Sequence, residues 1–121
     1  MKLKLLAEDF SICRLSDYKA VDWTAPLVFI LKSTTEITVV CPTVQKPAQT
    51  LSDDDGWRGF CIDGKLNYEL VGIVAKISQI LASHTISVFV VSGIENNYFF
   101  VKNEQLALAQ EALDKKGYFF V

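Results

Sequence analysis

Hydrophobic and polar positions change their period part-way along the chain. Up to about residue 49, apolar residues come in short runs rich in β-branched side chains: KLKLL, FSICRL, LVFILK and EITVVC. Runs of this kind, bounded by turn-forming residues, predict strands. The last two are separated only by STT and predict a hairpin. Ser33 and Glu36 have the spacing of a helix capping box, but the run ITVVC that follows has a strand's period and composition, so the motif does not open a helix. SDYKAVDWTAP reads as a connection, and PTVQKPAQTLSDDDG as a long loop broken by Pro42 and Pro47.

Beyond Gly56 a helical period appears. WRGFCID predicts a strand, and Asn67 stands as the N-cap of a helix reaching about Ser83. Leu70, Ile73, Val74, Ile77 and Leu81 fall on one face of that helix, a face that must be buried. ISVFVVS predicts a strand, GIENN a tight connection in which Gly93 supplies a positive φ, and YFFVK the antiparallel partner. NEQLALAQEALDKKG predicts a second helix, capped by Asn103 and stopped by Gly117, before a last strand in YFFV. The order is β-α-β-β-α-β, the ferredoxin-like unit. The first half has no amphipathic helix to cover its sheet, so it is expected to dock on the second. The predicted class is α+β: a ferredoxin-like lobe over 55–121 packed on a smaller strand-rich lobe over 1–54, with a shared core. ISVFVVS is apolar on both faces, which predicts burial at the centre of a sheet or pairing across a homodimer.

Composition narrows the function. Of 121 residues, 50% are hydrophobic and 21% charged, enough for a packed core, and a net charge of −2 gives no footprint for nucleic acid. No apolar run approaches the ~18 residues of a membrane span, and MKLKLLAEDF lacks the apolar stretch of a secretory signal. Cys13, Cys41 and Cys61 are odd in number and widely spaced, which argues against a disulfide framework or a zinc site and for reduced, buried thiols in the cytoplasm. His84 with a cysteine is the sole route to nucleophilic chemistry, and no spacing indicates that pair. SDDDG lacks the alternating ligands of a calcium loop and reads as a solvated turn. Trp23 and Trp57 read as buried at a lobe junction and a strand start. No catalytic residue, metal site or cofactor is predicted.

YELVGIVAKISQILASHTISVFVVS resembles the signature of the ACT domain, a small regulatory module. More narrowly, DDGWRGF with GKLNYELVGI, ISVFVVS and NNYFFVK resembles a family of short bacterial proteins built from two ACT-like halves, similar also to the lobes of the eukaryotic cytosolic arginine sensor. FSICRL and EITVVCP match the usual first half. The resemblance implies amino-acid binding without catalysis, at a junction of lobes or subunits. The implied site joins a helix N-terminus, at Asn67, Val71, Gly72 and Ile73, to a strand edge at Ser92, Gly93, Glu95, Asn96 and Asn97. A helix N-terminus suits a ligand carboxylate, and acidic or amide side chains suit its ammonium.

The chain departs from the family pattern at this site. Asn67 replaces an aspartate and Val71 a threonine; ENNY replaces aspartate, threonine, aspartate, tyrosine; and Thr85 stands where the turn after the helix commonly has glycine. Amide-for-carboxylate exchanges weaken ammonium capture. The competing expectation is an ACT-fold interaction module that binds no ligand.

Overall fold

The computed structural model of the chain describes residues 1–64 and 72–121. Its strands are β1 (Lys2–Leu15), β2 (Phe29–Lys32), β3 (Ile37–Pro42), β4 (Ser52–Ile62), β5 (Phe89–Ser92), β6 (Asn97–Lys102) and β7 (Phe119–Phe120). Its helices are α1 (Ile73–Ser83) and α2 (Leu106–Asp114), with 3₁₀ turns at Thr43–Gln45 and Asn103–Gln105. Two compact units result: Glu8–Trp57, and Met1–Ala7 with Arg58–Val121. The division expected after residue 54 lies inside β4, and residues 1–7 group with the carboxyl-terminal unit. Both differences arise because β1 and β4 are long strands that run through both units. Among the described residues, no helix is long and apolar enough to cross a membrane.

Glu8–Trp57 is a strand unit ordered β2-β3-β1-β4. The β2–β3 hairpin closes with Lys32 opposite Ile37 and a 2.9 Å bond from the Ser33 N–H to the Glu36 carbonyl. The Ser33 hydroxyl accepts the N–H groups of Thr35 and Glu36, so the spacing that imitates a capping box serves a turn. β3 pairs antiparallel with β1 from Leu15↔Ile37 to Phe10↔Pro42. Cys13, Leu15, Val21, Val39 and Cys41 form the unit's buried cluster.

The other unit orders its strands β7-β1-β4-β6-β5, with the start of β1 between β7 and β4. β7 runs parallel to β1 through Lys2↔Phe119 and Leu3↔Phe120. KLKLL therefore does not belong with the amino-terminal strands alone. It continues into FSICRL as one strand, because Ala7, Glu8 and Asp9 contain no glycine or proline to turn the chain. Leu3, Phe60, Ile62, Phe99 and Val101 on the sheet meet Ile73, Ile77 and Leu81 of α1 and Leu106, Ala109 and Leu113 of α2. Phe60 stacks on Phe99 and meets Phe120 edge-on, each at 5.2 Å between ring centres. Each fully buried aliphatic side chain here stabilises the fold by about 1.5–3 kcal/mol relative to exposure.

Both helices end in the same motif. After α1, the N–H groups of Thr85 and Ile86 bond to the Ala82 and Leu81 carbonyls; after α2, those of Gly117 and Tyr118 bond to Asp114 and Leu113. This is the Schellman arrangement, which needs a left-handed residue at its turn. Gly117 adopts it at φ 88°, and Thr85, despite its branched side chain, at φ 58°. The geometry usual for glycine is thus kept by threonine, with Ile86 buried against the core.

Several expectations need correction. SDDDG is part of β4 and not a solvated turn, and Trp23 is 65% exposed while Trp57 is buried. Strand β5 begins only at Phe89, and it is the edge of its unit's sheet, half-buried, not central. Gly93 is not among the residues with positive φ, and Asn103 opens a 3₁₀ turn without capping the helix through its side chain. The first helix begins at Ile73, with Gly72 before it at φ 79°.

Candidate functional site

The described site residues fall at two places in the carboxyl-terminal unit: Gly72 and Ile73 at the start of α1, and Ser92, Gly93, Glu95, Asn96 and Asn97 at the hairpin between β5 and β6. Asn67 and Val71 lie outside the described residues. Gly72 accepts the first helical bond of α1, from the Lys76 N–H at 2.9 Å, so the amides of Ile73, Val74 and Ala75 precede the intrahelical ladder. Among the described residues no side chain caps this end, and the Ile73 side chain is buried in the core.

At the hairpin, Ser92 pairs with Asn97, and the Gly93 N–H bonds to the Asn96 carbonyl at 2.8 Å. Asn96 is anchored across to β4. Its Oδ1 accepts the N–H groups of Ile62 (3.3 Å) and Asn97 (2.8 Å), while its Nδ2 donates to the Ile62 carbonyl at 2.9 Å. The side-chain amide thereby imitates a strand's backbone, using donor and acceptor together. A carboxylate would face the Ile62 carbonyl with no proton to give. Asn96 is therefore a structural tie between the two strand ends. Glu95 is exposed and Asn97 is buried.

The strand unit carries a polar cluster that sequence reading missed. Ser11, fully buried, donates to Asp55 Oδ1 at 2.6 Å and lies 2.8 Å from the Thr43 hydroxyl. Lys46 Nζ bridges Asp53 Oδ2 at 3.0 Å and both Asp55 oxygens at 3.2 Å, and the Thr50 hydroxyl donates to Asp53. The signal was present in SDDDG: Asp53 and Asp55 are two apart, the spacing of one strand face. The Thr50 hydroxyl, then Lys46, hold the Asp53 carboxyl below its ordinary range; the Ser11 hydroxyl, then Lys46, do so for Asp55. Hydrogen bonds to Asp53 and Asp55 raise Lys46.

Burial pushes the Cys13 thiol up to about 12, with Cys41 adding to it, and desolvation also raises Cys41 and Cys61. All three are protonated near neutral pH and so are weak nucleophiles. His84 sits at the end of α1, its Nδ1 3.1 Å from the Ile80 carbonyl. Among the described residues no group of three or more His, Cys, Asp or Glu is placed to hold a metal.

With this geometry in view, comparison places the chain among known proteins. A model described as the ACT domain matches residues 52–115, more than half of the chain. The crystal structure of protein Atu0741 from Agobacterium tumefaciens is 28% identical with a TM-score of 0.87, over 99% of this chain and 91% of that one. VC0802 from Vibrio cholerae, of unknown function and called a possible transport protein, is 22% identical with a TM-score of 0.65, over 92% and 85% of the chains. The ligand-free regulatory subunit of aspartate kinase from Thermus thermophilus is 10% identical, TM-score 0.65, over 95% of this chain and 97% of that one. The last two likenesses concern the fold alone. No curated protein matches the sequence.

Proposed function

The chain belongs to the ACT domain family, and from that premise we propose that it is a non-enzymatic regulatory protein that binds an amino acid. The observation that carries this reading is its likeness in fold to a regulatory subunit of which it covers 97%. The proposed site joins the Ile73–Ala75 amides to the Ser92–Asn97 turn, with Asn67 and Val71 supplied by the segment before α1. The ligand carboxylate meets the helix N-terminus, and Glu95 faces its ammonium. Because Glu95 is exposed, Glu95→Gln is expected to weaken binding by under about 1 kcal/mol. The narrower likeness to two-lobed bacterial proteins and to the arginine sensor's lobes is part of the same proposal. Three buried free thiols suit a reducing compartment, and we place the protein in the cytoplasm.

A second reading is favoured by β5. This apolar strand is an edge, and exposed apolar edges invite pairing. Pairing β5 with its copy in a homodimer covers Phe89–Val91, so assembly without a ligand is the rival function. A thermal-shift screen with the twenty amino acids separates the two. A ligand at a hundredfold excess over its Kd stabilises by about 2.7 kcal/mol. If neither the parent nor the Asn67→Asp, Asn97→Asp variant responds at millimolar concentration, the sensor reading fails. Light scattering that gives a monomer at high concentration overturns the homodimer.

A further inference from the structure

The outer stripe of α1 and the chain leaving α2 border an open groove of about 470 Å³, lined by Lys76, Gln79, Ile80, Ser83, Lys116 and Tyr118. The first four recur at i, i+3, i+4 and i+7, one stripe beside the buried stripe of Ile73, Ile77 and Leu81. Lys116 and Tyr118 flank Gly117, whose left-handed turn carries the chain from α2 into β7.

The lining has one charge sign. Among the described residues no carboxylate contributes, although the chain has 14 acidic residues. Lys115 is paired with Glu111 at 3.1 Å, whereas Lys76 and Lys116 have no ion-pair partner among the described residues. Ile80 and Tyr118 are half-buried and pack on the core beneath, giving the groove an apolar floor. The Ser83 hydroxyl donates to the Ile80 carbonyl and its oxygen lies 3.2 Å from His84 Nδ1, so the hydrogen-bond donors that line the groove beside the lysines are the Gln79 amide and the Tyr118 phenol.

We propose that this groove is a second ligand site, for an organic anion: a carboxylate or phosphate ester with an apolar group. The anion meets Lys76 and Lys116, and the apolar group lies on Ile80 and the Tyr118 ring. The volume is that of ordinary small-molecule clefts, which are about 300–1,000 Å³. The site uses none of the residues proposed for amino-acid binding, so it stands or falls independently.

The test is an NMR titration of the full chain with phenyl phosphate, with benzyl alcohol and inorganic phosphate as separate controls. Saturable shifts are expected at residues 76–83 and 116–118, with a dissociation constant on the order of 1 mM for so small a ligand. Both controls should bind more weakly, because each lacks half of the recognised chemistry. Lys76→Gln with Lys116→Gln should weaken phenyl phosphate about fivefold or more, and so should added salt. Both lysines are exposed, so the fold is expected to persist in the double variant. Absence of saturation, shifts centred on residues 92–97, or a double variant that binds like the parent would overturn the site.

Discussion

Two segments of the chain run the same course and then part. β2, β3 and the Thr43–Gln45 turn recur as β5, β6 and the Asn103–Gln105 turn at a constant 60-residue interval: Phe29 to Phe89, Ile37 to Asn97, Thr43 to Asn103. The hairpins close alike, Ser33 N–H to Glu36 carbonyl in one and Gly93 N–H to Asn96 carbonyl in the other. At the next residue they diverge. Leu106 is helical (φ −59°, ψ −47°) and starts α2, whereas Lys46 is extended (φ −61°, ψ 136°). Lys46 precedes Pro47, and a residue before proline is driven out of the helical region by the ring's Cδ. The earlier connections differ too: residues 63–88 hold α1, while residues 16–28, about half as many, hold none. One strand pattern thus serves two units, and a proline and a shorter connection leave one of them without helices. The helix-free unit has the smaller apolar cluster and adds a polar one, Ser11–Asp55–Lys46–Asp53.

The largest expected effect tests that difference in the cores. Leu81→Ala, in the helix-covered cluster, is expected to cost about 3–5 kcal/mol, and Leu15→Ala, in the strand unit, nearer about 2 kcal/mol. Urea unfolding measures both, and equal losses would break the comparison. Removing residues 1–7 takes Leu3 from the helix-covered core and the parallel partner from β7, so a fragment of residues 58–121 should unfold at lower urea than the whole chain.

A middle-sized effect belongs to the polar cluster. Ser11→Ala is expected to cost about 1–3 kcal/mol, since it removes a buried hydroxyl that donates to a carboxylate. Its pH dependence has a definite sign. Asp53 and Asp55 have lowered folded-state pKa values, so their contribution is present above the ordinary carboxylate pKa, about 3.9, and is lost as pH falls through the folded values. Lys46 is raised, so its contribution is complete below about pH 10 and is lost as pH rises through its folded value. Lys46→Met should therefore be less stable than the parent at pH 7, and the gap should close toward pH 2. A gap that persists unchanged in acid would show that packing, not charge, holds the cluster.

The smallest effect compares the two helix ends. Thr85→Gly relieves a left-handed conformation that a branched side chain resists, and loses some of the gain to glycine's greater freedom when unfolded. A net stabilisation of up to about 1 kcal/mol is expected, seen as a higher thermal midpoint. A loss would mean that the threonine side chain holds the turn by a contact of its own.

Much of the fold was written in local pattern. The apolar spacing of Ile73, Ile77 and Leu81, the stop at Gly117, the EITVVC hairpin arm and the lack of a helix before residue 56 are short-range properties, fixed by side-chain period and turn chemistry. The chain itself also carries the two amides of the proposed site, Asn67 and Asn97, and the Pro47 that ends the likeness between the two segments. Long-range partners decided the rest. Nothing near Leu3 signals that it sits between β7 and β4, because strand pairing depends on backbone groups that every residue has. Asn96 reads as turn chemistry until Ile62, distant in sequence, lies against it. Ser11, Asp53 and Asp55 look like scattered polar residues until β1 and β4 lie side by side, with Lys46 brought in by the turn after β3, and their polar groups come within hydrogen-bond reach. That convergence is a property of strand register, which alternation within a single strand does not determine.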